Sequence, residues 1–248
     1  MTYQNFAYFY DELMSHAPYN NWLKFTEDIM NKNELVNPRI VDLGCGTGEI
    51  TLGLTNYSND VVGVDYSQEM LSVAKNKAAD QGKDIKLIHQ DIRELEGFTE
   101  TNLIVSYCDV INYLTEASDV EKVFNLVYHS LANNGIFAFD IHSQDYVLQH
   151  LINHTFADVS ENTAYIWECH PGDEIGAMEH EMTFFVKTST GMYRKITEDH
   201  KQQVFSHTFY LDALKKSGFR QIKISVNYDL ENEEITEETD RIFITAKK

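Results

Sequence analysis

The sequence has few cysteines and lacks any long apolar run. Its three cysteines, Cys45, Cys108 and Cys169, are far apart and form no CxxC pair, so neither a disulfide framework nor a zinc site is predicted. Nothing approaches the length of a transmembrane helix. The first residues also lack the basic start and apolar run of a signal peptide. A cytoplasmic protein without a membrane partner is therefore expected.

Basic residues are also scarce. Twenty Lys and Arg stand against 39 Asp and Glu, giving a formal net charge of -19, and the basic residues are scattered rather than clustered. Such a surface repels phosphate backbones and anionic membranes at long range. A nucleic-acid partner is therefore disfavoured, whereas the 43% of apolar residues is enough for a folded core.

The pattern of apolar residues divides the chain into three parts. Residues 1–35 show two short stretches of helical spacing, interrupted at Pro18. Residues 36–150 alternate apolar strands with helices, a rhythm that returns over 207–248 and predicts a parallel sheet covered on both faces. Residues 151–206 contain strand-like segments separated by short turns. They predict an antiparallel insertion from about His154 to Ser206.

The most specific motif is the turn after the first strand, IVDLGCGTG. Asp42 ends the strand, and glycines follow at alternate positions, Gly44, Gly46 and Gly48. Glycines allow positive φ and let a ligand lie against bare backbone. The spacing differs from the dinucleotide fingerprint GxGxxG, and an acidic residue here suits a cationic ligand rather than a pyrophosphate. A simple tight turn is the alternative.

Two further carboxylates follow at the ends of the next strands. Asp65 ends the second strand about 20 residues after the glycine turn, where a carboxylate can accept hydrogen bonds from both ribose hydroxyls. Asp91 follows the third strand and could accept a hydrogen bond from an adenine amino group, with Ile92 against the ring. Helix capping by Asp91 is an equally good interpretation.

The series Asp42, Gly44, Gly46, Gly48, Asp65 and Asp91 resembles the class I S-adenosylmethionine-dependent methyltransferases over about residues 36–142 and from 207 onward. The N-terminal FAYFYDELM resembles a bacterial branch of that family and, more distantly, the glycine and amino-sugar N-methyltransferases. The resemblance implies a Rossmann-like α/β fold with a seven-stranded sheet of order 3-2-1-4-5-7-6, its last strand antiparallel. It also implies a lid formed by the N-terminal helices, and S-adenosylmethionine as the cofactor.

Cofactor contacts are expected from the series itself and from residues near it. These additional residues are Cys45, Tyr66, Met70, Ile92, Cys108, Tyr10 and Trp22. For the N-terminal aromatic residues, packing of a helix onto the sheet is the competing interpretation.

The acceptor is expected at the ends of the fourth and fifth strands, where open α/β sheets bind ligands. Candidate catalytic residues are Asp109, His142 as a general base, and Tyr10. Asn112 and Tyr113 are further candidates for acceptor contact. Capping, core packing or a surface histidine are the ordinary alternatives. His180, His200 and His207 lack metal-ligand spacing, so no metal is predicted.

The identity of the acceptor stays open at this stage. The acidic surface favours a small polar molecule such as an amine, and tRNA or protein are the alternatives. An S-adenosylmethionine-binding protein without turnover and a nicotinamide-dependent oxidoreductase are the competing classes. A monomer or a homodimer is expected.

Overall fold

The computed structural model describes residues 7, 10, 11, 14–188 and 190–248, and two sheets organise them. Seven strands form the main sheet: β1 (Ile40–Leu43), β2 (Val61–Asp65), β3 (Lys86–His89), β4 (Thr101–Ser106), β5 (Leu131–His142), and, after four strands of a second sheet, β10 (Arg220–Val226) and β11 (Arg241–Lys247). The second sheet contains β6 (His154–Val159), β7 (Thr163–Pro171), β8 (Ala177–Lys187) and β9 (Tyr193–Gln203).

The main sheet has the order 3-2-1-4-5-11-10. Once the four strands of the second sheet are skipped in the numbering, this is the predicted order 3-2-1-4-5-7-6. Strand β11 runs antiparallel to β5, whereas β1 to β5 pair in parallel. The predicted Rossmann-like α/β fold, with its last strand antiparallel, is confirmed.

Helices cover both faces of the main sheet. They are α1 (Tyr19–Lys32), α2 (Glu49–Leu54), α3 (Gln68–Asp80), α4 (Ala117–Ser130), α5 (Gln144–Tyr146), which continues as a π-helical turn over Val147–Leu151, and α6 (His207–Ser217). Neighbouring residues of one strand enter different cores, as strand alternation requires. Ile40 packs in the core that includes α1 and α2, and Val41 in the core that includes α4 and α6.

Most of residues 1–13 lie outside the described residues, and with them the first predicted helix and any lid that it forms. The second predicted helix is α1, which begins just after Pro18 and buries Trp22, Phe25 and Ile29. Within the described part of the chain, no helix is long and apolar enough to cross a membrane.

The second sheet is antiparallel throughout, in the order β6-β7-β8-β9, and it occupies the segment predicted as an insertion. Two apolar clusters attach it to the rest of the molecule. One joins Cys169 and Met178 to the π-helical turn, and the other joins Phe184 to Tyr10 and Met70. The division of the chain into a lid, a main domain and an insertion stays a prediction.

Candidate active site

A cavity of about 580 Å³ lies between the carboxyl ends of the main-sheet strands and the second sheet. Because parallel strands end at one edge, residues distant in sequence meet there. Fourteen of the residues predicted from the sequence line it: Tyr10, Asp42, Gly44, Cys45, Gly46, Asp65, Tyr66, Met70, Asp91, Ile92, Cys108, Asp109, Tyr113 and His142.

The three glycines of the turn after β1 all have positive φ, between +54° and +82°, but they serve different purposes. A Cβ on Gly44 would lie 2.4 Å from Val110, and one on Gly48 would lie 2.9 Å from Ala74. These two glycines therefore permit close packing. A Cβ on Gly46 would have no described heavy atom within 4 Å, so Gly46 presents bare backbone to the cavity.

Asp65 is fixed at the edge of the cavity by the backbone. Its Oδ2 accepts a hydrogen bond from Gly46 N at 2.7 Å, and its Oδ1 accepts one from Ser67 N at 2.8 Å. Burial raises the pKa of Asp65, and these N–H donors oppose the rise. Each carboxylate oxygen keeps a lone pair for a further donor, as the predicted ribose contact requires.

Asp42 lies deeper, beneath the glycine turn. Its Oδ2 accepts a hydrogen bond from Thr51 Oγ1 at 2.6 Å, and burial raises its pKa to about 7. A cation beside this carboxyl would favour its ionised form. The environment of Asp42 therefore suits a positively charged ligand.

Asp91 has the capping role that was one of its two interpretations. It caps the 3₁₀ turn Ile92–Glu94 by accepting a hydrogen bond from Arg93 N at 2.8 Å, and its Oδ2 accepts another from Arg93 Nη2 at 2.6 Å. The guanidinium of Arg93 lowers the pKa of Asp91. The predicted contact with adenine stays a prediction.

The loop after β4 is held by an arginine that sequence reasoning missed. Cys108 and Asp109 both have positive φ, +60° and +66°, an unfavourable conformation for residues other than glycine. Arg241 Nη1 donates to Asp109 Oδ1 at 2.6 Å and to Asp140 Oδ2 at 2.5 Å. Asp140 is completely buried, so Arg241 both neutralises it and fixes the strained loop.

The base role predicted for His142 does not fit its surroundings. His142 Nε2 lies 3.3 Å from Asp109 Oδ2, and Nδ1 lies 2.9 Å from Asp240 Oδ1. Burial alone would lower its pKa, but the carboxylates outweigh burial and raise it to about 9. His142 is therefore a cation at neutral pH and has no lone pair with which to accept a proton.

Asp109 and Tyr10 are no better placed as bases. Burial acts to raise the pKa of Asp109, but Arg241 and His142 together hold it well below its usual range. Burial raises the pKa of Tyr10, so it stays a phenol. The geometry gives Asp109 the role of organising charge, and Tyr10 lies between the cavity and the second sheet.

Trp22 lies in the core rather than in the lining of the cavity, contrary to its predicted cofactor contact. Its Nε1 donates to Asp140 Oδ2 at 3.0 Å, and the guanidinium of Arg241 lies 5.0 Å from its ring centre. Helix packing, the competing interpretation, describes its placement. Asn112 is also completely buried, outside the cavity lining.

The second sheet supplies six lining residues that sequence reasoning did not select as acceptor contacts. They are Tyr165, Trp167, His180, Met182, His200 and Gln202. In β8 and β9 they alternate with charged residues, which is the signal that could have identified one inward face. On the exposed outer face, ligand atoms of Glu168, His170 and Glu181 lie within 4.8 Å of one another, and the absence of a metal stays a prediction.

These residues fit S-adenosylmethionine. Gly46 leaves room against the backbone, Asp65 offers carboxylate oxygens to ribose hydroxyls, and Asp42 suits the ammonium and sulfonium charges of the methionyl part. Ile92 supplies an apolar surface for a base. Adenosine and methionine therefore both have suitable partners along one side of the cavity.

Comparison with known proteins agrees with this fit. Residues 40–135 match the family model of the methyltransferase domain. The chain is 37% identical to a candidate methyltransferase of Geobacillus sp. (strain WCH70), over 100% of both chains. The crystal structure of an S-adenosylmethionine-dependent methyltransferase from Clostridium acetobutylicum is 31% identical, with a TM-score of 0.88, covering 99% of this chain and 98% of that one.

A more distant structure shares the fold. The sugar N-methyltransferase KedS8 from Streptoalloteichus sp. is 16% identical with a TM-score of 0.82, covering 97% of this chain and 92% of that one. Sheet order, glycine turn and sequence relatives all agree, and the chain belongs to the S-adenosylmethionine-dependent methyltransferase family.

Proposed function

We propose that the protein transfers a methyl group from S-adenosylmethionine to a small polar acceptor, an amine, bound between the ends of β4 and β5 and the second sheet. The observation that carries this proposal is that a single cavity touches both the glycine turn and the second sheet. A donor lying along the glycine turn leaves the opposite side of the same cavity for an acceptor.

The chain's own residues would orient the donor. Asp65 would hold the ribose, Gly46 would let the cofactor lie on the backbone, and Cys108 would lie beside the methionyl part at the end of β4. S-adenosylmethionine supplies a methyl group on a sulfonium, which is already an excellent leaving group. The protein then contributes mainly alignment and exclusion of water.

The proton of the acceptor needs no dedicated base in this account. His142 is already protonated, and Asp109 is paired with Arg241. An amine would attack in its neutral form and lose its proton to solvent afterwards. Turnover would therefore rise with pH through the pKa of the acceptor amine.

Three features support a small molecule over tRNA or protein. The net charge of -19 opposes an RNA backbone, and a cavity of about 580 Å³ has the size of a small-molecule site. A protein that shares the fold, KedS8, is a sugar N-methyltransferase.

The test is the formation of S-adenosylhomocysteine from S-adenosylmethionine in the presence of a panel of small amines. We expect acceptor-dependent formation that falls strongly in Asp65→Ala when S-adenosylmethionine is below saturation. If the cofactor binds but no small amine is methylated, the proposed reaction is wrong. Methylation of tRNA or of protein under the same conditions would replace the acceptor class.

A further inference from the structure

The inner face of the second sheet contains a chain of hydrogen bonds that ends at the cavity. Trp167 Nε1 donates to His180 Nδ1 at 2.9 Å, and His180 Nε2 lies 3.3 Å from Gln202 Oε1. All three side chains line the cavity. We infer that Trp167, His180 and Gln202 form the acceptor-recognition subsite, which takes the uncharged, hydroxyl-bearing ring that carries the acceptor amine, through a hydrogen bond donated by the Gln202 amide.

The first donor in this chain of hydrogen bonds fixes the direction of the others. An indole N–H can only donate, so Nδ1 of His180 must accept. Burial lowers the pKa of His180 to about 4, and the ring is neutral at physiological pH. Its single proton is therefore on Nε2, which donates to Gln202 Oε1.

The amide group of Gln202 is oriented as a result. Its oxygen is engaged by His180, so the amide nitrogen is the group left for a ligand. Within the described part of the chain, Gln202 Nε2 makes no hydrogen bond. Gln202 therefore offers two N–H donors at the cavity, which suit a hydroxyl oxygen.

The second sheet's side of the cavity carries no Asp, Glu, Lys or Arg among its six lining residues. Burial also lowers the pKa of His200, so both histidines there are neutral at physiological pH. Lys201 lies on the outer face, where it pairs with Glu179 at 2.6 Å, and Glu198, which shares the inner face, is buried outside the cavity lining. A neutral group binds to this side more favourably than an ion does, because no charge has to be transferred out of water.

The ring is specified by the indole. Trp167 packs against Phe156 with ring centres 4.6 Å apart, and the hydrogen bond to His180 prevents its rotation. A rigid aromatic surface beside a few oriented donors binds a ligand that has an apolar face and polar groups around its edge. A saturated ring with equatorial hydroxyl groups presents such a face of C–H bonds and such an edge.

The inference rests on the proposed function because it assigns the acceptor to the same cavity. Calorimetry on the full-length protein saturated with S-adenosylhomocysteine tests it, because this measurement separates recognition of the acceptor from binding of the cofactor. The probes are methyl β-D-xylopyranoside and tetrahydropyran, a ring of the same size without hydroxyl groups. We expect the xyloside to bind about tenfold more tightly, as one to two good hydrogen bonds would give.

Substitutions at and beside Gln202 test whether its amide is the hydrogen-bond donor to the xyloside. Gln202→Ala should weaken xyloside binding about fivefold and leave tetrahydropyran binding unchanged. Lys201→Ala is the matched control, since it neighbours Gln202 on the opposite face of β9 and should change neither. Thermal unfolding of each variant checks that the fold is kept.

Trp167→Phe tests whether the chain of hydrogen bonds orients the Gln202 amide, because it keeps an aromatic surface and removes the N–H. It should weaken xyloside binding more in the wild-type background than in Gln202→Ala, a non-additivity that independent roles would not produce. Equal binding of the two probes, no binding of the xyloside at millimolar concentration, or an unaffected Gln202→Ala would overturn the inference. Retained binding of S-adenosylhomocysteine in those cases would leave the proposed function standing.

Discussion

The two sides of the cavity present different chemical groups. On one side the glycine turn and the ends of β1 and β2 present backbone and fixed carboxylates, with Gly46 N–H itself bonded to Asp65. On the other side the second sheet presents a layer of aromatic, amide and imidazole side chains. A backbone surface can change little without changing the fold, whereas a layer of side chains can be replaced strand by strand.

The electrostatics differ in the same way. Asp42, Asp65 and Asp91 line the turn side, and burial raises the pKa of the first two. A cationic ligand would relieve that unfavourable burial of negative charge. The neutral lining of the second sheet offers no such gain. In the proposed arrangement, the donor and acceptor sites differ in charge as well as in position.

The largest expected effect comes from filling the backbone surface. Gly46→Val should weaken binding of S-adenosylhomocysteine more than about 100-fold, because the side chain enters the space of the ligand and a β-branched residue resists positive φ. Titration calorimetry measures it. Gly82→Val is the matched control, since Gly82 also has positive φ, +65°, and open space around its Cβ position, but lies outside the cavity lining.

Loss of affinity in Gly82→Val equal to that in Gly46→Val would show that backbone strain, and not the occupied space, is responsible. Equal affinity of Gly46→Val and the wild type would show that the cofactor does not lie on this turn.

A smaller effect is expected from the carboxylate beside the turn. Asp65→Ala should weaken binding of S-adenosylhomocysteine by about 10- to 100-fold, since both ribose hydroxyls and the N–H of Gly46 lose a partner. Binding of the xyloside probe should change far less. Asp60 is exposed and directly precedes β2, at the end of the strand opposite to Asp65. Asp60→Ala should leave the affinities for S-adenosylhomocysteine and for the xyloside unchanged. A folded Asp65→Ala protein that binds the cofactor normally would contradict the ribose assignment.

An effect on stability rather than on binding tests the charge network where the two sides meet. The pKa of His142 is raised from 6.5 to about 9, so the folded state binds its proton more tightly than the unfolded state does. The resulting stability is complete below about pH 6.5 and is lost as the pH rises towards 9. The loss should be on the order of 1–3 kcal/mol.

His142→Gln should remove this part of the pH dependence. Denaturant unfolding between pH 6.5 and 9 measures the free energy of unfolding of both proteins. Parallel pH profiles for the two proteins would mean that His142 is not held as a cation, and the general-base role would then be open again.

The turn side of the cavity could be predicted because its information is local. Asp42, Gly46 and Asp65 lie within one strand–helix–strand unit, and the backbone conformation that they require restricts the residue type at each position. The parallel sheet followed from the rhythm of apolar runs, and the strand order followed from the family resemblance alone. The antiparallel sheet could be predicted from successive strand-like segments separated by short turns.

The rest depends on contacts that sequence spacing does not encode. Arg241 and Asp109 are 132 positions apart in the sequence, so the sequence alone does not show that they form an ion pair. The position of His142 at the end of a strand predicts a base, but its pKa depends on Asp109 and Asp240, which only the folded chain brings together. The alternation in β7 to β9 shows that one face is distinct, but not that this face turns towards the cavity.

The central claim is that the cofactor lies on the turn side and the acceptor on the side of the second sheet. A crystal structure with S-adenosylhomocysteine bound tests it most directly. The account predicts ribose hydroxyls on Asp65, the adenine against Ile92, the sulfur near Cys108, and Trp167 and Gln202 free of the cofactor. An adenosine group packed on Trp167 or hydrogen-bonded to Gln202 would contradict it.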